Sequence, residues 1–195
     1  MFLYFLLALA LTAADQAVKA WTVGHFAAPA AGFTATADAY APCIPGILEL
    51  TRVHNYGAAW SSFSGMRWLL SAVTAAILIV VLVLLLRGVV RHPAGRVAGA
   101  LILAGGLGNL IDRVRLGYVV DMFHFVFWPS YPVFNLADIC IVAGAILGAI
   151  YYLFLHEKLD RSRRSLISKT DEPLLGMLDR IREQIRKDLC QAVLI

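Results

Sequence analysis

The sequence predicts an all-α membrane protein: four transmembrane helices with a small extracytoplasmic β element and a C-terminal amphipathic helix. Of its 195 residues 60% are hydrophobic and 15% charged, and a mean hydropathy of +0.74 is more than a water-exposed domain of this size keeps in solution. The apolar residues gather at about 2–23, 68–87, 95–115 and 136–156. Each run is near the roughly 20 residues a helix needs to cross about 30 Å of hydrocarbon. The basic residues fall where membrane topology would put them. Arg87, Arg91 and Arg96 lie between the second and third runs, and Lys158, Arg161, Arg163, Arg164 and Lys169 follow the fourth. Arg52, Arg67, Arg113 and Arg115 lie on the other side, and eight against four places both termini in the cytoplasm by the positive-inside rule. The net charge of +4 is therefore a mark of topology, and no nucleic-acid partner is expected.

The first run opens with a stretch, residues 2–13, as long as the h-region of a signal peptide. No Lys or Arg precedes it, however, and the segment continues through Asp15 and Lys19 to Trp21, so an uncleaved helix is expected. Asp15 and Lys19 are one turn apart on one face and can neutralise each other inside a bundle. An ion pair locking the span to its neighbours and a direct part in chemistry are both open. Residues 24–46, rich in Ala, Gly, Pro and Thr, have no helical period and read as an outer loop. From Ile47 to Asn55 the pattern alternates, with Ile47, Glu49, Thr51 and Val53 on one face, which predicts a short strand on the membrane surface. It ends in Asn55-Tyr56-Gly57-Ala58-Ala59-Trp60-Ser61, where the glycine supplies either a positive φ or room for a substrate backbone beside the Asn amide.

The second span, Trp68 to Leu86, is rich in Leu, Val and Ile and reads as a lipid-facing scaffold. Small residues at Gly95, Gly99, Ala100, Ala104 and Gly108 in the third span, and at Gly144 and Gly148 in the fourth, let neighbouring helices approach closely. Between these spans Tyr118 to Phe125 alternates weakly, placing Asp121 on a second short strand or turn. Asn135 reads as a helix N-cap with Asp138 at its third helical position, where a carboxylate suits the helix dipole. Beyond His156 the chain becomes charged and mixed. Leu174, Leu178, Ile181, Ile185 and Leu189 keep helical spacing opposite Arg180, Arg182, Glu183, Arg186 and Lys187, an amphipathic helix suited to the inner membrane surface or a partner. Residues 1–157 thus form the transmembrane domain, with its outer loop at 24–66, and residues 158–195 a cytoplasmic tail. Cys43, Cys140 and Cys190 fall in three different compartments, so no disulfide framework is implied.

The stretch from Gly105 to Asp138 brings Asn109, Asp112, Arg113, Asp121, Asn135 and Asp138 to the ends of two spans. An ionised group there costs roughly 2.5 to 3.5 kcal/mol even on lenient insertion scales, which makes each a functional candidate. Two converging carboxylates cannot both ionise cheaply, so they share a proton and hold both a base to activate water and an acid for the scissile carbonyl. Asp121 and Asp138 flank a loop that returns to the membrane and suit that chemistry. Other readings compete. His54 or His124 with these aspartates could bind a metal, though no His-x-x-x-His or Glu-x-x-His lies on any helix. Ser61 or Ser62 could pair with Lys19. A small transporter or binding protein would also use buried charge, but no inverted repeat is visible in the four spans.

The succession Asp15-Gln16-x-x-Lys19, Asn55-x-Gly57-Ala58-Ala59-x-Ser61, Gly105-Gly106-x-x-Asn109-x-x-Asp112-Arg113, Val120-Asp121 and Phe134-Asn135-x-Ala137-Asp138 closely resembles the lipoprotein signal peptidases, or signal peptidase II family, over roughly residues 1–157. The resemblance implies an aspartic endopeptidase embedded in the bacterial cytoplasmic membrane, with its active site near the outer face. Such an enzyme cuts prolipoproteins before a diacylglyceryl-modified cysteine. Asp121 and Asp138 would then be catalytic. Asn55, Gly57, Asn109, Arg113, Asn135 and Ala137 would line the substrate site, with Asp15, Lys19 and Asp112 in support. It also implies membrane lipid and prolipoprotein as partners, inhibition by globomycin-type cyclic peptides, no cofactor or metal, and a monomer. The outer loop from Gly24 to Gly46 is long for the family, Tyr56 and Trp60 depart from its usual residues, and the tail beyond about residue 160 lies outside the resemblance.

A reporter fused after Leu159 should read as cytoplasmic and one inserted near Thr36 as external. Reversed signals would place the aspartates on the wrong face for a substrate anchored in the outer leaflet.

Overall fold

The computed structural model describes residues 1–29, 40–57, 63–155 and 179–187. In chain order the elements are α1 (Phe2–His25), β1 (Ala41–Ile44), β2 (Leu48–Asn55), α2 (Arg67–Leu86), α3 (Pro93–Arg115), β3 (Val119–Phe125) and α4 (Leu136–Ile150), which continues as a π-helical turn, Tyr151–Leu155. All four α-helices are long and apolar enough to cross a membrane, the last over Leu136–Leu153. The chain divides into two compact units, Met1–Gly148 and Ala149–Ile195. In the second, a helix over 179–187 falls inside the expected amphipathic segment, with Ile181 and Ile185 exposed and ion pairs Arg182–Asp179 and Arg186–Glu183 one turn apart. Leu174, Leu178, Leu189 and Cys190 lie outside the described residues, as do Ala58 to Ser62.

Helix α3 is the axis of the bundle, with α1 and α2 packed along it. His92 caps its start by accepting from the Ala94 N–H at 3.2 Å, ahead of Pro93 at a position that needs no N–H. Ala8 of α1, Leu78 and Leu85 of α2, and Ala100, Leu103 and Ala104 of α3 form the apolar core. The small residues of α3 act as expected. A methyl group at Gly105 would collide with the Ala137 carbonyl of α4, and one at Gly108 with the Asp15 carboxylate of α1. In α4, one at Gly144 would stand 2.9 Å from the Ala98 carbonyl. Helix α2 buries only Ser71, Leu78 and Leu85, a single seven-residue stripe, and exposes the rest of its apolar surface. After α3 the chain reverses through Gly117, whose φ of +87° suits a helix C-terminal turn closed by its N–H on the Arg113 carbonyl.

The three strands form one antiparallel sheet in the order β1-β2-β3. Strand β1 lies within the stretch read as irregular outer loop, where Ala-Pro-Cys-Ile has too short a run to show a period. Strand β2 departs from the expected alternation, since Thr51, Arg52, Val53 and His54 are all buried. A register shift between Leu50 and Val53 breaks the two-residue repeat. Arg52 is buried because its Nη1 donates to the Val23 and Phe26 carbonyls at 3.2 Å each, satisfying the frayed end of α1 and tying it to the sheet.

One ion cluster joins α1 to α3 and reaches two further elements. Lys19 Nζ lies 2.9 Å from both Asp15 Oδ2 and Asp112 Oδ2 and donates to Asn109 Oδ1 at 3.1 Å. Its three ammonium hydrogens therefore all have acceptors. Gln16 Nε2 adds bonds to Asp112 Oδ1 at 3.0 Å and the Gly108 carbonyl at 3.2 Å. The two carboxylates also hold backbone: Asp15 Oδ1 accepts from the Ala137 N–H at 2.9 Å, and Asp112 Oδ2, shared with Lys19, from the Val120 N–H at 3.2 Å. Ala137 precedes Asp138, and Val120 precedes Asp121.

Lys19→Ala leaves two buried carboxylates without their cation, and breaking such a cluster costs about 3 to 5 kcal/mol. Thermal unfolding of the purified variant should show lowered stability together with lowered activity; a variant as stable as the wild type yet inactive would instead give Lys19 a direct part in the chemistry.

Candidate active site

Three carboxamides converge on the two aspartates, and each has its oxygen committed elsewhere so that its NH2 faces a carboxylate. Asn55 ends β2 and accepts the Gly57 N–H at 3.0 Å in an Asx turn, which leaves Nδ2 to donate to Asp121 Oδ2 at 3.0 Å. Asn109, on α3, accepts from Lys19 and donates from Nδ2 to Asp138 Oδ1 at 2.8 Å. Asn135 accepts the Asp138 N–H at 2.9 Å while Asp138 Oδ2 accepts the Asn135 N–H at 3.2 Å, a reciprocal capping box at the start of α4. Its Nδ2 then donates to Asp121 Oδ1 at 2.6 Å and Asn109 Oδ1 at 3.1 Å. Asn135 thus touches both aspartates at once.

This geometry keeps the charges close and dry. Asp121, on β3, is buried, and desolvation, together with the nearby Asp138 carboxylate, pushes its pKa up to about 7 against the opposing pull of the Asn55 and Asn135 amides. Arg113 supplies the balancing cation, and its Nη2 donates to the Gly57 carbonyl at 2.9 Å. Both aspartates, Asn55, Asn109 and Arg113 line one cavity of about 340 Å³, walled on one side by Leu70 and Thr74 of α2, Gly106 of α3, and Ile141 and Val142 of α4. Val119, Tyr131, Pro132, Val133 and Phe134 close the remaining side. An acid, a base and a cation thus face a mostly apolar slot, an arrangement able to polarise and hydrate an amide carbonyl.

The candidate residues of the aspartic reading fall in this region, at different depths. Asp121, Asp138, Asn55, Asn109 and Arg113 reach the cavity. Asn135 and Ala137 are fully buried and stand behind it, the first bridging the aspartates and the second held by Asp15. Gly57 is fixed through both its N–H and its carbonyl. The Asp138 cap expected from sequence is present, and so is its place beside Asp121. The histidines go elsewhere: Arg52 Nε donates to His54 Nε2 at 3.2 Å, and His124 Nδ1 meets Glu49 Oε1 at 2.7 Å across the sheet. Burial and the Arg52 charge lower the His54 pKa. Among the described residues no group of three or more His, Cys, Asp or Glu is placed to hold a metal. Ser61 and Ser62 lie outside the described residues. Two features escaped the sequence reading. Leu70 and Thr74 give α2, expected to be a lipid-facing scaffold, a share of the cavity, and only the lone Thr in an apolar face hinted at it; Tyr131, Pro132 and Val133 on the aromatic side carried no motif.

Comparison with known proteins gives the family. The family model described as signal peptidase (SPase) II matches residues 7–154. The lipoprotein signal peptidase of Lactiplantibacillus plantarum is 42% identical over 148 residues, covering 75% of this chain and 91% of the relative. That of Latilactobacillus sakei is 39% identical over 158 residues, covering 81% and 97%. A solved bacterial membrane enzyme, 29% identical, superposes with a TM-score of 0.67 over 80% of this chain and 95% of its own. Another, 28% identical, gives 0.65 over 88% and 94%. With a family model spanning most of the chain and relatives of this coverage, the chain belongs to the signal peptidase II family of membrane-embedded aspartic peptidases, which remove signal peptides from prolipoproteins.

Proposed function

We propose that Asp121 and Asp138 perform the hydrolysis, and that the scissile bond precedes a diacylglyceryl-modified cysteine held at the membrane surface. The observation that carries this reading is Asn135, which binds both carboxylates simultaneously and so fixes them on one reacting group. The pair holds one proton. Its ionised member takes a proton from water as the water oxygen attacks the scissile carbonyl carbon, and its protonated member gives one to the carbonyl oxygen, forming a neutral gem-diol. In the second half the newly protonated carboxyl donates to the amide nitrogen while the other recovers a proton from the diol. The C–N bond breaks and the pair returns to its starting state. Asn55, Asn109 and Arg113 bind the substrate backbone at the cavity wall, and Gly57 offers it close approach. Asn135 and Ala137 act through the aspartates, and Asp15, Lys19 and Asp112 through the backbone that carries them.

The Arg and Lys asymmetry puts both termini in the cytoplasm and the site at the outer face, where a lipid-anchored cysteine would lie. The protein acts as a monomer, and a globomycin-type cyclic peptide blocks it by filling the same cavity. Residues 158–195 form a tail outside the catalytic domain, so a chain ending near Arg164 should still cleave in detergent. Complete loss of turnover in a folded truncation would give the tail a part in catalysis.

Asp121→Asn and Asp138→Asn keep size and one of the two accepted hydrogen bonds but remove the group that alternates between acid and base, so each should fold, bind precursor and fail to cut. A helix-capping role alone predicts a loss of about 0.5 to 2 kcal/mol for the second variant, with activity falling only with the folded fraction. Turnover of a diacylglyceryl-modified precursor, measured beside thermal stability, separates the two; near-normal turnover by either variant refutes the aspartic pair.

The pH dependence has a definite sign. With the Asp121 pKa near 7 in the folded chain, above its ordinary carboxylate value, the folded state binds more protons than the unfolded state between about pH 4 and pH 7. Stability should therefore fall as pH rises through that window, and the activity profile should be bell-shaped, with limbs that belong to the pair and not to either residue. Asp121→Asn should flatten the stability profile, and melting curves across the window test it.

A further inference from the structure

One end of the sheet carries an apolar tip that the hydrolytic chemistry does not use. Two turns make it: the β1–β2 turn, with Ile44 and Ile47 exposed, and the turn after β3, where Phe127 is 63% and Trp128 52% exposed. The two are joined by the Val126 N–H donating to the Ile47 carbonyl at 3.0 Å. The second turn is preformed. Tyr131 N–H donates to the Trp128 carbonyl at 3.0 Å, and Phe134 returns to pair with Phe123 through bonds of 3.0 and 2.8 Å. Its rings pack in series, Trp128 on Tyr131 at 5.0 Å and Tyr131 on Phe134 at 5.7 Å, and the latter two line the catalytic cavity.

From Met122 to Ala137 the chain has no Asp, Glu, Lys or Arg, and it then enters the membrane-spanning α4 directly. A turn that met only water would gain nothing from exposed Phe and Trp and would ordinarily carry charge. A Phe-Trp turn in a stretch without Asp, Glu, Lys or Arg and continuous with a spanning helix belongs at the boundary between headgroups and acyl chains. We propose that the tip formed by Ile44, Ile47, Phe127 and Trp128 inserts into the bilayer interface on the side of the catalytic cavity, so that the aromatic series ending at Tyr131 and Phe134 opens the cavity to substrates lying in that leaflet. The occupant is lipid. The turn is continuous with a membrane-crossing element, and no other partner is needed to cover so small a patch.

The test uses the full chain in phosphatidylcholine vesicles containing lipids brominated at either shallow or deep acyl positions. The emission lost in Trp128→Phe reports Trp128 alone. Insertion requires that this component be quenched more by shallow than by deep bromines and be shielded from aqueous iodide; accessibility to iodide with no bromine quenching overturns the proposal. A second arm rests on the peptidase reading. The double variant Phe127→Ser, Trp128→Ser, checked for unchanged thermal stability, should raise KM for a lipid-modified precursor in vesicles by roughly five- to tenfold with kcat unchanged. It should match the wild type in detergent. An unchanged KM in vesicles, an equal loss in both media, or a wild-type dimer that the double variant converts to a monomer would each overturn it. A wild-type chain inert in both media would refute the peptidase reading and leave the quenching result standing.

Discussion

The site depends on one lysine shared between two carboxylates. Removing Lys19, Asp15 and Asp112 from water costs several kcal/mol per ion, and only mutual attraction with complete hydrogen bonding offsets it. Each carboxylate also accepts the N–H just before one of the two paired aspartates, Ala137 for one and Val120 for the other. The cluster therefore does more than join α1 to α3. It fixes the helix start that carries Asp138 and the strand that carries Asp121 with respect to a common point. The glycines of α3 are the steric side of the same arrangement, since a side chain at Gly108 would occupy the space of the Asp15 carboxylate.

Asp121 is tuned by opposing effects, of which burial is the largest. Burial and mutual repulsion favour keeping a proton, while the carboxamides favour releasing one. A site with the burial alone would hold both protons and lack a base. With the amides alone it would hold none and lack an acid. The balance depends on the direction in which each amide faces, and that direction is set outside the pair: by a turn for Asn55, by Lys19 for Asn109 and by the helix cap for Asn135.

Much of this was legible in the sequence. The spans follow from apolar length, the Asp15–Lys19 pair from its four-residue spacing, and the Asn135–Asp138 cap from its three-residue spacing, because each depends on local periodicity. What escaped depends on contacts between distant segments. Strand β1 has four residues and exists through its partner. The buried run from Thr51 to His54 depends on a register shift that no alternation encodes. Arg52 looked like one more basic residue on the outer side, yet its ligands are carbonyls nearly thirty positions away. Thr74 enters the cavity because of how α2 is rotated, which its own nearly uniform sequence does not specify.

The double employment of the cavity's polar groups bears on how the protein could escape a blocking molecule. Asn55 also shapes its turn, Asn109 holds Lys19, Arg113 secures Gly57 and Asp138 caps α4. An inhibitor that contacts only these groups leaves the organism no inexpensive route to resistance, since any substitution that weakens the drug also loosens the scaffold. Among the described residues, Leu70, Thr74 and Val142 carry no such second duty in the polar network and could change without that penalty. Compounds that gain their affinity from the apolar wall would therefore be the ones most exposed to mutational escape.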